Sequence, residues 1–177
     1  MKHLLTLLDL TKDEVYHLLN STKKIKAQPE NYYEKLKAKT LLMIFQKPSL
    51  RTKLSFEIAM NQLGGHAIFM QQNYPPQGRY EIPSDQTQVF TRYVDIITAR
   101  VYEHKQLIDM KQYATVPIIN ALSDYTHPCQ ILADIVTIQE HLGTIEGKTI
   151  AYLGDGRNNT LNSWFFAALH LPFTLKV

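Results

Sequence analysis

Six short runs of apolar residues alternate along the chain with segments whose apolar residues recur at helical spacing, and this alternation limits the fold more than any other feature. Runs that are apolar along their whole length are typical of strands buried on both faces of a parallel sheet. The sequence therefore predicts an α/β fold, in which helices cover both faces of a parallel sheet. The strands are expected at 40–45, 66–70, 94–101, 116–122, 149–153 and 173–177.

Local signals indicate where several helices begin and end. Thr11 opens a capping-box pattern, T-x-x-E, which predicts a helix of about four turns. Gly64 and Gly65 should end the helix after the first strand, and Ser84 should cap the next one, 84–93. Further helices are expected at 104–113, 124–141 and 158–169. The helix after strand 40–45 should bury a face made of Leu54, Phe56, Ile58, Ala59 and Leu63.

A domain boundary is predicted near residue 143. The stretch 143–148, GTIEGK, resembles a connector, and only one further βαβ unit follows it. A βαβ unit of about thirty residues cannot bury a sheet alone. We therefore expect a complete α/β domain at 1–143 and the incomplete start of a second one at 144–177.

Composition and charge argue against several classes of protein. The formal charge of +3 comes from 19 basic and 16 acidic residues without a basic run, which does not favour nucleic acid. Cys129 is the single cysteine, so no intrachain disulfide can form and a reducing compartment is expected. The apolar run near the N-terminus is interrupted by Asp9, Lys12 and Asp13 and is too short to span a bilayer. We expect a soluble cytoplasmic protein without a membrane partner.

The stretch FQKPSLRTKLSFE joins the first strand to its helix and concentrates polar groups at that junction. Free backbone N–H groups and the helix dipole favour an anion at such a helix start. Ser49 and Thr52 add hydroxyl donors, and Arg51 adds a planar fork suited to phosphate. A plain Ser49 helix cap with nearby surface cations explains the same residues, so both interpretations stay open here.

Polar clusters also follow three other predicted strands. Arg100 ends the third strand, 124–134 follows the fourth, and 153–159 follows the fifth. Ligand sites in open α/β sheets lie at the carboxyl ends of the strands, so one shared crevice is expected. A buried Arg needs a partner, which suggests that Arg100 meets an anion. His127 and Gln130 share one side of a helix start, although a buried, hydrogen-bonded structural histidine is an alternative.

Four stretches resemble the ornithine carbamoyltransferases, within the aspartate/ornithine carbamoyltransferase superfamily. They read KPSLRTKLSFEIAMNQLGGHA, ARVYEHKQL, VPIINALSDYTHPCQILAD and GDGRNN, and the resemblance covers nearly the whole chain. It implies two α/β domains, the first binding carbamoyl phosphate and the second mainly the amino acid. It also implies a homotrimer with active sites at subunit boundaries, and a part in arginine metabolism.

The resemblance assigns roles to individual residues. The phosphate of carbamoyl phosphate should be held by Ser49, Leu50 (through its backbone), Arg51 and Thr52. Arg100 and His127 match the groups on its carbonyl oxygen, and Gln130 matches the group that reads its amide. Asn159 matches the ligand of the ornithine backbone. Arg51, Arg100 and His127 are the expected catalytic residues, because they stabilise charge on the carbonyl oxygen and on the leaving phosphate.

This chemistry requires no metal, no cofactor and no covalent nucleophile. We therefore interpret Cys129 as a small packing residue. The loop after the second strand departs from the family pattern, because its glutamine, Gln77, stands directly before Gly78 and Glu81 is followed by Ile82. Gln77 is thus an uncertain ligand of carbamoyl phosphate. The family's Asp-x-x-x-Ser-Met-Gly and His-Cys-Leu-Pro segments do not occur in these 177 residues, so activity of this chain alone is expected to be impaired.

Three other functions compete with ornithine carbamoyl transfer. A putrescine carbamoyltransferase is a close variant, but Asn159 suits an amino-acid head group. A non-catalytic protein that binds carbamoyl phosphate would fit the missing segments. A generic nucleotide-binding module would require a G-x-G-x-x-G fingerprint, which GDGRNN does not provide.

Overall fold

The computed structural model describes residues 1–73 and 82–177. Its strands are β1 (Thr40–Phe45), β2 (His66–Gln71), β3 (Ile96–Arg100), β4 (Ile118–Leu122), β5 (Thr149–Ala151) and β6 (Thr174–Lys176). Its helices are α1 (Lys12–Ala27), α2 (Leu50–Gln62), α3 (Pro83–Tyr93), α4 (His104–Tyr113), α5 (Pro128–Leu142) and α6 (Asn159–Ala168). The predicted alternation of strands and helices is confirmed, and β1 and α4 have the predicted bounds.

Four parallel strands form the main sheet in the order β2-β1-β3-β4, and β5 and β6 form a second, parallel pair. The predicted parallel α/β class is therefore confirmed. The chain passes from β1 outward to β2 and then returns across β1 to β3, so the strand order reverses between β1 and β3. A crevice forms at such a switch point, outside the carboxyl ends of the two strands. Phe45 of β1 pairs with Arg100 of β3 at that end of the sheet.

Strand β1 is buried on both faces, as its continuous apolar sequence predicts. Ile44 belongs to a core cluster with Leu107 of α4, whereas Met43 belongs to a different cluster with Met60 of α2. Neighbouring side chains of a strand point to opposite faces, so the two clusters lie on opposite sides of the sheet. Helices therefore cover both faces, which explains why no polar alternation appears in this strand.

The β5–α6–β6 unit packs against helices from the rest of the chain. Trp164 of α6 shares a core cluster with Val15 of α1 and with Ile131 and Ile135 of α5. Half-buried side chains of β5 and β6 complete this cluster. The small sheet thus obtains its apolar partner from α1 and α5, as expected for a unit too small to bury a sheet alone.

A segment before the first helix closes the outer edge of β4. Leu4 forms a parallel bridge with Ile119. The Leu4 N–H donates to the Ile118 carbonyl at 2.9 Å, and the Asn120 N–H donates to the Leu4 carbonyl at 2.8 Å. The edge of the sheet beside β4 is therefore paired rather than open.

The prediction that one apolar face of α2 is buried is partly wrong. Leu54 is 44% exposed and Ile58 is 50% exposed, whereas Met60 is buried. This helix lies beside β2, an outer strand whose own side chains are mostly exposed or half-buried. Because only one side of α2 meets the sheet, apolar residues on its other side remain at the surface.

Two predicted helix starts are also wrong. Helix α3 begins at Pro83 with Ile82 in the capping position, so Ser84 lies inside the helix and is not its cap. Proline fits the first helical position because its missing N–H has no partner there. Helix α5 begins at Pro128 rather than at residue 124, since the residue before a proline, His127, is disfavoured in helical conformation. Among the described residues, none of the helices is long and apolar enough to cross a membrane.

Candidate functional site

A cavity of about 630 Å³ lies at the carboxyl ends of β1, β3 and β4. Six of the site residues expected from the sequence line it: Ser49, Arg51, Thr52, Arg100, His127 and Gln130. These residues come from three separate connections, β1 to α2, the end of β3, and β4 to α5. The topology therefore brings together polar clusters that lie far apart in the sequence.

The junction of β1 and α2 does not use its serine as a helix cap. Ser49 occupies the capping position, but its side chain makes no capping hydrogen bond to the described backbone. Its Oγ instead donates to Thr52 Oγ1 at 2.9 Å. The first N–H groups of α2 have no partner within the helix, which leaves them available to an anion together with the two hydroxyls. The geometry favours the anion-site interpretation over the cap.

Leu50 takes a different position from its neighbours in this loop. Its side chain is 74% exposed and does not line the cavity described above. Only the backbone of Leu50, in the first turn of α2, can take part in anion binding. This agrees with the backbone role that the family resemblance implies.

Arg100 and His127 each present a buried nitrogen to the site. Arg100 Nε and His127 Nδ1 are shielded from solvent, and neither has a hydrogen-bond partner among residues 1–73 and 82–177. Buried polar atoms without partners are rare and costly in native proteins. A structural histidine with satisfied nitrogens does not fit this arrangement. The two nitrogens suit a ligand that supplies oxygen acceptors.

The charge states of these groups follow from their surroundings. Burial and, secondly, the charge of Arg100 lower the pKa of His127 to about 4, so its imidazole is neutral at pH 7. Burial also lowers the pKa of Arg100, yet a guanidinium stays protonated at neutral pH. The site therefore combines the fixed positive charges of Arg51 and Arg100 with a neutral imidazole whose N–H can donate.

Gln130 and Cys129 lie on the wall formed by the first turn of α5. Gln130 Nε2 donates to Asp134 Oδ1 at 2.8 Å, which leaves the amide oxygen of Gln130 as an acceptor. Burial raises the pKa of Cys129 to about 12, so the group is a thiol at neutral pH. Its Sγ contacts the Asn120 carbonyl at 3.4 Å. A protonated thiol is a poor nucleophile, which agrees with a packing role for the half-buried Cys129.

Asn120 stabilises the loop between β4 and α5 that leads into this wall. Its role was not predicted from the sequence. It is fully buried, and its Nδ2 contacts the Leu5 carbonyl at 2.9 Å and the Thr126 carbonyl at 3.1 Å. Its Oδ1 accepts from the N–H of Leu122, a cavity-lining residue with a φ of +153°. A polar residue inside an otherwise apolar strand, VPIINAL, was the signal that could have revealed it.

Asn159 is expected to bind ornithine, but it is not among the residues that line the cavity. It is the first residue of α6, and its Nδ2 donates to the Ser123 carbonyl at 2.6 Å. The same helix holds the start of α5, because Ser163 Oγ accepts from the His127 N–H at 2.8 Å. Gln77, Gly78 and Glu81 lie outside the described residues.

The fold is a parallel α/β domain whose switch-point cavity is lined by cationic and hydroxyl side chains. Residues 2–140 match the family described as "Aspartate/ornithine carbamoyltransferase, carbamoyl-P binding domain". The chain belongs to this family. Since that match covers most of the chain, the resemblance seen in the motifs is confirmed.

Individual relatives support the same family. The chain is 47% identical over 172 residues to "Ornithine carbamoyltransferase, anabolic" of Pyrococcus furiosus, with 96% of this chain and 54% of that protein covered. The solved ornithine carbamoyltransferase of P. furiosus superimposes with a TM-score of 0.91 at 46% identity, covering 98% of this chain and 56% of that one. For the Burkholderia thailandensis enzyme the TM-score is 0.92 at 43% identity, with 99% and 61% covered. The chain spans about half the length of the curated relatives it matches.

Proposed function

We propose that this chain binds carbamoyl phosphate and takes part in ornithine carbamoyl transfer, giving citrulline and phosphate. The observation that carries the proposal is the pair of buried nitrogens, Arg100 Nε and His127 Nδ1, which lack partners among the described residues and line one cavity with the Ser49–Thr52 hydroxyl pair. An anionic group joined to a carbonyl would satisfy both parts of this cavity. Carbamoyl phosphate has that chemistry.

In the proposed complex, the phosphate lies at the start of α2, held by Ser49, Arg51, Thr52 and backbone N–H groups. The carbonyl oxygen accepts from Arg100 and from the neutral imidazole of His127, and Gln130 accepts from the carbamoyl amide with its free oxygen. Preorganised donors of this kind stabilise charge as it develops in the transition state. Six residues of the cavity thus recognise the two ends of one small ligand.

The proposed reaction forms one bond and breaks one. The uncharged side-chain amine of ornithine attacks the carbamoyl carbon, a new C–N bond forms, and the C–O bond to phosphate breaks. The phosphate leaves with the electron pair and takes up the proton that the amine nitrogen loses. Charge grows first on the carbonyl oxygen near Arg100 and His127, and then on the phosphate near Arg51.

We propose the amino-acid substrate from the position of Asn159. Asn159 starts α6 next to the His127 loop, and its amide already engages the Ser123 carbonyl. It would hold the ornithine head group from this place, which favours ornithine over putrescine. The division into domains at 1–143 and 144–177 is part of the same proposal, and it agrees with the two separate sheets.

A homo-oligomer, a trimer by family resemblance, is also proposed. Support comes from exposed apolar side chains on α2 and β2: Leu50, Leu54, Ile58, Ile68 and Phe69. Exposed apolar patches of this kind are typical of protein contacts. The cytoplasmic location and the role in arginine metabolism remain predictions.

Calorimetric titration of the purified protein with carbamoyl phosphate tests the proposal. Arg51→Leu should weaken binding by about 1.5–3 kcal/mol, the size of a charge-assisted hydrogen bond. Arg92→Leu is the matched control, because Arg92 is an exposed arginine of α3 outside the cavity. Equal affinity of the protein and the Arg51 variant would refute the site.

A second measurement separates the transferase from a non-catalytic binding protein. Citrulline is measured after the protein is mixed with carbamoyl phosphate and ornithine, and N-carbamoylputrescine is measured in parallel with putrescine in place of ornithine. Binding without any carbamoylated product would favour the non-catalytic alternative, and a product from putrescine alone would favour the other transferase.

A further inference from the structure

Gln46 joins the two strand ends between which the crevice opens. It directly follows β1, and its side chain is buried, with 8% of the residue exposed. The backbone N–H of Gln46 donates to the Arg100 carbonyl at 2.9 Å. Its side-chain Oε1 accepts from the N–H of Tyr102 at 3.0 Å. Gln46 therefore bonds to the carbonyl of Arg100 and to the N–H of Tyr102, the backbone groups on either side of Val101.

The amide of Gln46 is held in one orientation by other glutamines. Its Nε2 donates to Gln106 Oε1 at 2.6 Å and to Gln72 Oε1 at 3.2 Å. Gln72 in turn donates to Gln86 Oε1 at 3.1 Å. Both amide hydrogens and the oxygen of Gln46 are thus engaged, by groups from α4 and from the segments that directly follow β2 and β3. A fully engaged, buried amide is a rigid connector.

We propose that Gln46 is a positioning residue that fixes the distance between Arg100 and the anion loop of α2. The inference rests on the proposed function. Only Lys47 and Pro48 separate Gln46 from the loop that begins at Ser49. Gln46 therefore fastens the start of that loop to the segment that carries Arg100, without itself lining the cavity.

This spacing matters only for a ligand that must reach both parts of the site. Carbamoyl phosphate would engage the loop with its phosphate and Arg100 with its carbonyl oxygen at the same time. Inorganic phosphate needs the loop alone. Since small errors of placement weaken multipoint recognition, loosening Gln46 should reduce the preference for carbamoyl phosphate over phosphate.

The test compares the affinities of Gln46→Met and wild type for carbamoyl phosphate and for inorganic phosphate, by calorimetry. We expect the variant to bind carbamoyl phosphate about tenfold more weakly, the effect of losing about one hydrogen-bonded contact, and to change its phosphate affinity far less. Gln72→Met is the matched control: it breaks the same amide network but leaves the Tyr102 contact, so it should keep the wild-type preference.

If the folded Gln46→Met variant prefers carbamoyl phosphate over phosphate as strongly as the wild type does, the inference is overturned and the proposed function stays intact. Wild-type protein that does not prefer carbamoyl phosphate would overturn the proposed function and the inference with it. If the methionine variant does not fold, Gln46→Asn decides, because its amide is one methylene shorter and cannot reach the Tyr102 N–H and the Gln106 oxygen together. Gln46→Asn should lose part of the preference for carbamoyl phosphate over phosphate, and an unchanged preference would overturn the inference.

Discussion

The guanidinium of Arg100 and burial act in the same direction on His127, with burial the larger cause, and together they hold its pKa at about 4. Replacing Arg100 by leucine removes the repulsion between the two groups and leaves the burial. The pKa of His127 should therefore rise part of the way toward 6.5, as measured by NMR titration of the imidazole. A pKa unchanged by Arg100→Leu would show that the two side chains do not interact.

Acid should destabilise the protein through His127. The folded state keeps the imidazole neutral down to about pH 4, whereas the unfolded chain takes up the proton near 6.5. Its stability contribution is thus complete above pH 6.5 and is lost as the pH falls toward 4, by up to about 3 kcal/mol. Urea unfolding at several pH values should show this slope, and His127→Gln should reduce it. An identical slope in the variant would place the acid sensitivity elsewhere.

Thr52→Val removes a hydroxyl from the anion loop while preserving the shape of the side chain. We expect carbamoyl phosphate to bind about 1 kcal/mol more weakly, since Thr52 Oγ1 accepts from Ser49 and orients both hydroxyls. The melting temperature should hardly change. Thr137→Val is the control, because that hydroxyl bonds to the backbone of α5 on an exposed surface. Similar affinities for both variants would argue against the hydroxyl pair.

Asn120→Ala should be strongly destabilising. The substitution removes the amide bonds to the Leu5 and Thr126 carbonyls, which keep other donors, and leaves the Leu122 N–H without its partner. The combined loss should cost about 2–4 kcal/mol of unfolding free energy. Asn162→Ala is the control, because Asn162 makes one exposed bond, to the Tyr125 carbonyl at 3.0 Å, and should cost less than about 1 kcal/mol. Denaturant unfolding measures both, and equal losses would show that Asn120 is replaceable.

Gly64→Ala and Gly143→Ala separate backbone strain from steric overlap. Both glycines have positive φ, +83° and +78°, so each alanine should cost about 1–2 kcal/mol. At Gly64 the added Cβ would also lie 2.4 Å from the Tyr33 carbonyl oxygen, whereas at Gly143 no atom of residues 1–73 and 82–177 lies within 4 Å of it. The loss of unfolding free energy should therefore be clearly larger at residue 64. A similar loss at both sites would mean that the Tyr33 segment moves freely.

Most of the architecture was predictable because burial on both faces leaves a strong local pattern. Strand β1 and helix α4 were placed at their observed bounds, since continuous apolar runs and helical spacing depend only on neighbouring residues. The clustering of Ser49, Arg51, Arg100 and His127 also followed from the sequence. Parallel strands carry their loops to the same edge, so the order of elements already brings these residues together.

Features that depend on distant contacts were not predictable. Leu54 and Ile58 have the spacing of a core-facing helix, and their exposure results from the position of α2 beside an outer strand. Gln46 and Asn120 look like ordinary polar residues in the sequence. Their importance comes from partners such as Gln106 and Leu5, which only the folded chain brings within hydrogen-bonding distance.

The bridge between Leu4 and Ile119 has a consequence for synthesis on the ribosome. The segment that closes the edge of β4 precedes that strand in the chain and is synthesised before it, and the bond from Asn120 to Leu5 spans 115 positions. Proteins emerge from their amino terminus, so the covering segment is already available when β4 appears. An edge that could otherwise recruit a strand from a neighbouring nascent chain is therefore closed as soon as it is formed.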